Sequence, residues 1–195
     1  FIIGSLISSL ERRKSSAVIS NKKVISGKKI VIDPGHGGID IGSSHRHLIE
    51  KEINLDIAQR LRYLLANNEA KVIMTRYHDT ALDHKNRSYN SRHKRDLKAR
   101  VNIINANQVD LFISIHVNYF AGKIRIRGPI VFYQQQRQEN KLLAQKIQSR
   151  LNQINYQGVK MKNNFIRLGD YYILNNTKVP GVLIEVGFIN KKLDG

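Results

Sequence analysis

The chain has 195 residues, 41% hydrophobic and 25% charged, the balance of one globular domain that can bury a core rather than of a disordered segment. It contains no cysteine, which excludes a disulfide framework and any thiolate metal site, so a bound metal must be held by His, Asp and Glu. Lys and Arg number 33 against 15 acids, a formal charge of +18 that favours an anionic partner: nucleic acid, an acidic membrane surface or an anionic polymer such as a cell wall. No zinc finger, RRM signature or interleaved aromatic stripe is found, so no nucleic-acid partner is expected.

Phe1 to Leu10 is small and apolar, too short to span a bilayer, and is followed at once by Glu-Arg-Arg-Lys. Two readings stand open for it: the remnant of a signal peptide or membrane anchor, and a short amphipathic helix. Ser15 to Lys28 reads as a basic linker, so 1–28 is set apart from a domain at 29–195.

Lys29–Ile32 is a β-branched run with the composition of a buried strand. Asp33-Pro34-Gly35 ends it, because Pro has no N–H for the ladder. His36 thus sits just past a strand's C-terminal end, flanked by glycines, at the edge where open α/β sheets bind ligands. A phosphate loop is disfavoured, since no Gly-Lys-Ser/Thr ending or dinucleotide spacing follows. Ile39 to Leu48 reads as a surface loop carrying His45 and His47.

Ile53, Ile57, Leu61 and Leu64 form one apolar stripe and predict a helix from about Glu50 to Asn67. Lys71 to Arg76 is a second strand. Tyr77 to Arg95 lacks apolar periodicity, and its His78, His84 and His93 read as solvated surface rather than ligands. A helix follows from about Asp96 to Asn105, with Leu97, Val101 and Ile104 inward. Asp110 to Asn118 is a strand that delivers His116 near its C-terminal end. Gly128 to Tyr133 is a strand, and Gln138 to Ile154 a helix with Leu143, Ile147, Leu151 and Ile154 on one side. Tyr171 to Leu174 reads as a short edge strand and Val182 to Val186 as the last strand. This alternation predicts a single α/β domain, a twisted, mostly parallel sheet with helices on both faces.

Four residues are hard to assign to scaffold. His36 and His116 both fall at strand ends, which a parallel sheet brings to one edge. Glu50 opens the first helix, although an acid in the first turn is also what the helix dipole favours, and Glu52 would serve that purpose equally. Glu185 interrupts the apolar run Val182-Leu183-Ile184 before Val186. A buried carboxylate must be paired, bind a metal or act as acid or base, because desolvation alone costs several kcal/mol. Two imidazoles and one carboxylate are a hydrolytic zinc ligand set with a position left for water, and Glu185 fits the accompanying general base.

These residues resemble the zinc-dependent N-acetylmuramoyl-L-alanine amidases of bacterial cell walls. The likeness rests on separate blocks in order: Ile32 to Gly38, Glu50-Lys51 heading a helix with Asn54-Leu55, Val72 to Arg76, Leu97 to Arg100, Asp110 to Asn118 and Pro180 to Asn190. It implies that His36, Glu50 and His116 bind one Zn2+, Glu50 being chosen over Glu52 as the acid directly before Lys51, and that Glu185 is catalytic. Asn118, Arg76 and Arg100 are then candidates for supporting the ligands or touching substrate, with structural hydrogen bonding an equal alternative.

The implied reaction cleaves the amide between N-acetylmuramic acid and L-alanine in peptidoglycan, by an enzyme exported beyond the cytoplasmic membrane to the wall or spore cortex, with anchoring through the N-terminus one of the two readings left open for that segment. Ser91 to Val101 with Ile103-Ile104-Asn105 is similar to the germination-specific amidases of spore formers. That implies work in muramic δ-lactam formation beside a peptidoglycan deacetylase, with an accessory protein as a further partner. The family's final helix would follow Gly187 to Asn190, and a chain ending at Gly195 is expected to lack it. The competing reading is a non-catalytic cationic wall-binding module, against which stands the presence of all four expected catalytic positions.

Overall fold

A computed structural model describes residues 24–122, 127–156, 159–160 and 163–191; the expectations for Phe1 to Leu10, most of the linker and the chain end lie outside these residues. Its elements run β1 (Lys29–Pro34), β2 (Ser44–His45), β3 (Leu48–Ile49), α1 (Glu50–Asn67) and β4 (Lys71–Met74). A 3-10 turn (Asp83–Lys85), α2 (Arg92–Ala106), β5 (Leu111–Asn118), β6 (Ile130–Tyr133) and α3 (Gln138–Leu151) follow. The chain closes with β7 (Asn155–Tyr156), β8 (Val159–Lys160), β9 (Arg167–Leu168), α4 (Tyr172–Asn176) and β10 (Gly181–Phe188).

The main sheet has six strands in the order β4-β1-β5-β10-β6-β9. The first four are mutually parallel, and β6 runs antiparallel to β10. Strands buried on both faces need apolar residues on both, which is why β1 and β10 read as near-continuous hydrophobic runs. On one face Val31, Phe112 and Leu183 pack against Val101 and Ile104 of α2 and Ile173 and Leu174 of α4. On the other, Ile32, Met74 and Ile115 meet Ala58 of α1, while Val131, Val182 and Ile184 meet Ala144 of α3. The expected mostly parallel, doubly covered sheet is the one observed.

Several boundaries differ from expectation for identifiable reasons. Tyr172–Asn176 is a short helix, not an edge strand: its aromatic and β-branched residues suit either state, and Ile173 and Leu174 fill the space beside α2. The edge strand is instead Arg167–Leu168. Helix α2 begins at Arg92 because Ser91 caps it, its hydroxyl accepting from Lys94 N at 3.4 Å; its charged first turn shows no apolar period. In α1 the fully buried residues are Glu50, Asn54 and Ala58, while Leu64 is 42% exposed, so the inward face is rotated from the apolar stripe towards the glutamate at its head. Helix α3 ends at Leu151, leaving Ile154 beyond it. The loop from Ile39 to Leu48 holds the β2–β3 hairpin.

One polar cluster lies inside the core, under the C-terminal edge of the sheet. Asp33 accepts from Thr75 Oγ1 at 2.6 Å, Ser114 Oγ at 2.7 Å and Arg100 Nη1 at 2.8 Å. Arg100, 3% exposed, also donates to Asp96 Oδ1 at 2.6 Å. Burial would raise the Asp33 pKa, but the Arg100 charge and these hydrogen bonds hold it below the ordinary carboxylate value. Removing one partner strands the other without compensation. Arg100→Ala is therefore expected to destabilise the fold by about 3–5 kcal/mol in denaturant unfolding. A loss below about 1 kcal/mol would show that the pair is not structural.

Candidate metal centre and active site

The two histidines arrive from neighbouring strands. Residue pairs Pro34–Ile115 and Glu185–His116 stand side by side in the sheet, so the chain segment after β1, the end of β5 and β10 meet at one edge. Beyond Glu185 the β5–β10 register shifts before Phe188 pairs with Asn118, an irregularity of the kind that bends strands beside functional sites. Gly35 must be glycine because a Cβ there would collide with the His116 ring. Gly42 (φ +66°) allows a similar approach, where a Cβ would come within 2.7 Å of Glu50 Oε2.

Glu50, 3% exposed, is the hub. Its Oε1 lies 3.1 Å from His36 Nε2 and 3.1 Å from His116 Nδ1, and accepts from Val117 N at 3.2 Å. Oε2 accepts from Ser43 N at 2.8 Å. One donor atom from each of His36, Glu50 and His116 lies within 4.8 Å of the others. Bonds of about 2.0–2.1 Å in a tetrahedral zinc site set donor atoms about 3.3 Å apart, so this cluster fits one zinc ion with no large rearrangement. Glu52 is exposed and outside the cluster.

The electrostatics divide the carboxylates into two kinds. Burial works against charge on His36, but Asp40 and Glu50 outweigh it and raise its pKa to about 9. Glu50 is pushed up by burial and pulled further down by His116 and His36, ending well below the carboxylate range. Asp40 falls to about 2, chiefly through His36. Glu185 goes the other way: burial raises it to about 7, with His116 opposing and the Glu50 charge adding. Its Oε2 is buried and has no hydrogen-bond partner among the described residues. Such an orphaned oxygen beside a ligand cluster is poised to take a proton.

Glu50, His36, His116 and Glu185 line one cleft of about 470 Å³, together with Asn118, Tyr119, Tyr171 and Tyr172. Arg100 reaches its floor, whereas Arg76 does not line it. Both guanidiniums are engaged by the His36 loop. Pro34 O accepts from Arg76 Nε at 3.0 Å and Arg100 Nη1 at 2.7 Å; Gly35 O accepts from Arg76 Nη2 at 2.9 Å, and His36 O from Arg100 Nη2 at 2.6 Å. Lys51 adds a latch, donating to Gly38 O at 2.9 Å and Asp79 Oδ2 at 2.6 Å.

Sequence reasoning missed Asp40, whose Oδ1 is 3.0 Å from His36 Nδ1. The available signal was an acid four residues after a glycine-flanked histidine. It also set aside His93, which lines the cleft with Nδ1 4.0 Å from Asp40 Oδ2.

Comparison with known proteins identifies the family. The profile of the N-acetylmuramoyl-L-alanine amidases matches 30–195. A germination-specific N-acetylmuramoyl-L-alanine amidase of Bacillus subtilis is 39% identical over 167 residues, covering 85% of this chain and 69% of the relative. Among solved structures, the CwlD amidase of Clostridioides difficile in complex with the GerS lipoprotein is 33% identical with a TM-score of 0.76, covering 86% of this chain and 85% of that one. The catalytic domain of CwlV, an N-acetylmuramoyl-L-alanine amidase of Bacillus (Paenibacillus) polymyxa var. colistinus, is 28% identical with a TM-score of 0.69, covering 86% and 84%. This chain belongs to the N-acetylmuramoyl-L-alanine amidase family.

Proposed function

We propose that this amidase hydrolyses the amide between the lactyl group of N-acetylmuramic acid and L-alanine in peptidoglycan, with one zinc ion held by His36 Nε2, Glu50 Oε1 and His116 Nδ1. The observation that carries the reading is the convergence of three donor atoms within 4.8 Å beside a buried, unpartnered Glu185 oxygen. Bound zinc supplies an electrophile for the amide carbonyl and makes water more acidic. Glu185 takes the proton of the attacking water and returns it to the departing nitrogen. Water oxygen joins the lactyl carbonyl carbon, the C–N bond breaks, and L-alanine leaves with a free amine. A carboxyl that burial pushes above the ordinary range is suited to holding a proton between the two halves of that transfer. Tyr119 and Tyr172 give the cleft wall amphipathic aromatic surface, and Asn118 a polar group, for a glycan–peptide substrate.

We place its action outside the cytoplasmic membrane, in cortex peptidoglycan and in muramic δ-lactam formation beside a deacetylase; the likeness to a germination-specific amidase of Bacillus subtilis supports that setting. The lipoprotein bound to the Clostridioides difficile relative supports an accessory partner here as well. We take 29–195 as the catalytic domain and 1–28 as a segment outside it. Among the described residues no helix is long and apolar enough to cross a membrane.

Chelation should abolish release of L-alanine-headed peptides from purified peptidoglycan, and added zinc should restore it; activity that survives complete metal removal defeats the zinc assignment. Glu185→Gln should retain zinc, measured by metal analysis, while turnover falls about 100- to 10,000-fold. A variant with near-parental turnover removes Glu185 from the chemistry.

Stability of the metal-free protein gives an independent check. The folded pKa of Glu185 is raised from its ordinary 4.5 to about 7, so the folded state holds the proton more tightly than the unfolded chain does. Its contribution is present below pH 4.5 and is lost as pH rises to about 7. Metal-free Glu185→Gln should match the parent near pH 4 and exceed it by about 1–3 kcal/mol at pH 8. A parallel pair of stability curves would contradict the buried, uncompensated carboxylate.

A further inference from the structure

An imidazole that gives one nitrogen to a cation must dispose of a proton on the other. His36 presents Nε2 to Glu50 Oε1, at 3.1 Å. Its Nδ1 is therefore the nitrogen that must carry hydrogen when the ring is neutral. That atom is buried, and its N–H is not squarely aimed at any acceptor among the described residues. The nearest carboxylate is Asp40, whose Oδ1 stands 3.0 Å away. Distance is already that of a hydrogen bond; only alignment is lacking, as is common where a ligand has yet to draw the ring into place.

Asp40 is itself aimed by the loop that carries it. Gly37 N donates to Asp40 O at 2.8 Å and Asp40 N donates to Gly37 O at 3.1 Å, closing a tight bridge directly after His36. Gly42 N steadies the carboxylate from behind, donating to Oδ1 at 3.3 Å. The two facing side chains are 22% and 23% exposed, shielded enough for a hydrogen bond to hold. His36 and Asp40 thus belong to one rigid turn, and Glu50 comes from a separate helix. His93 of α2 approaches the second oxygen, Oδ2, at 4.0 Å and leaves Oδ1 to His36. His116 has the opposite arrangement, since its Nδ1 faces Glu50.

We propose that Asp40 is the positioning carboxylate of the cation site: Oδ1 accepts the Nδ1 proton of His36, fixes the tautomer that leaves Nε2 free, and strengthens that nitrogen as a donor. The inference rests on the zinc reading above. Carboxylate–imidazole–metal chains of this kind hold ring orientation, and loss of the outer carboxylate lowers metal affinity about 10- to 100-fold. Asp40 neither touches the ion nor reacts. Its role is to make His36 a ligand of one orientation.

The test is zinc affinity of the full chain, by competition with a chromophoric chelator, for the parent, Asp40→Asn and Asp40→Ala. Cobalt-substituted visible spectra are recorded alongside, because ligand-field bands report the geometry at the ion and are not moved by general loosening. Asp40→Ala is expected to lose about 10- to 100-fold in zinc affinity with altered cobalt bands. Asp40→Asn keeps an acceptor oxygen without the charge and should fall between it and the parent. Equal affinities overturn the proposal. So does a loss of affinity with an unchanged cobalt spectrum and a lower melting temperature of the metal-free protein, which would mean that Asp40 only braces its loop through Gly42. Should Asp40→Ala fail to fold, Asp40→Asn decides alone, with parental affinity and spectrum as the overturning result. A parent protein that binds neither zinc nor cobalt would instead fell the zinc reading, a failure distinct from that of Asp40.

Discussion

The ion pair between Asp33 and Arg100 is the constraint on which the rest of the structure depends. Both groups are almost wholly buried, so neither can be left without the other. Their contact ties β1 to α2, and Ser114 and Thr75 bring in β5 and the segment after β4. Arg100 has donors to spare once Asp33 and Asp96 are satisfied, and these reach Pro34 O and His36 O. The loop bearing His36 is thereby pinned to a buried ion pair. His36 itself sits at φ +60°, a left-handed conformation that costs a non-glycine residue about 1–2 kcal/mol. The Arg100 bond to its carbonyl, and the Arg76 bonds to the two carbonyls before it, offset that strain. Ligand placement is thus inherited from core stability.

A second constraint comes from the head of α1. This helix has no side-chain cap at Ile49, so its first-turn N–H groups leave a positive end that favours acids. Glu50 occupies that end, but turns its carboxylate into the sheet edge rather than out to water. Ser43 N and Val117 N donate to it, while two imidazoles crowd Oε1. Asn54, one turn on, lies beside both Gly35 O and Glu50 Oε1 at 3.3 and 3.4 Å. The buried face of α1 is therefore polar at the site and apolar further down, where Leu61 and Leu65 pack against the core.

How far the sequence shows this depends on what kind of signal each residue leaves. Strands β1, β5 and β10 are rich in apolar β-formers, so their existence is legible from composition, and the burial of Glu185 from the apolar residues on either side of it. The head of α2 was not, because a charged first turn over a serine cap hides the period that marks a helix. Tyr171 to Leu174 reads as a strand because four residues, two Tyr, an Ile and a Leu, carry too little periodicity to choose; packing against α2 decides for a helix. His36 and His116 are legible as candidates because a parallel sheet gathers strand ends, and Glu50 only as an acid opening the first helix. Which acid of Glu50 and Glu52 points inward was fixed by residue-by-residue likeness to a family, and α1 turns Glu50 in. Arg76 and Arg100 left no sequence signal of their role, since their partners are backbone carbonyls, which every residue has. Asp40 was hidden similarly, inside a glycine-rich stretch read only as surface.

The distribution of charge brings these elements to one end. Asp33, Asp40, Glu50, Asp96, Asp170 and Glu185 all line the cleft, six of the 15 acids in a chain of net charge +18. Acids are scarce in this protein, yet they are concentrated where imidazoles converge. Arg100 and the histidines neutralise most of them; of these six acids Glu185 is the one with a buried oxygen that has no hydrogen-bond partner among the described residues. A stable fold would pair or replace such a group, since the same volume filled by an amide would remove the desolvation penalty. Its presence beside His36 and Asn54, which also hold buried polar atoms without a partner among the described residues, is a local conflict of the kind that marks sites shaped by chemistry rather than by stability. Six carboxyls around converging imidazoles favour a divalent cation at this end of the sheet, in a chain whose net charge is otherwise strongly positive.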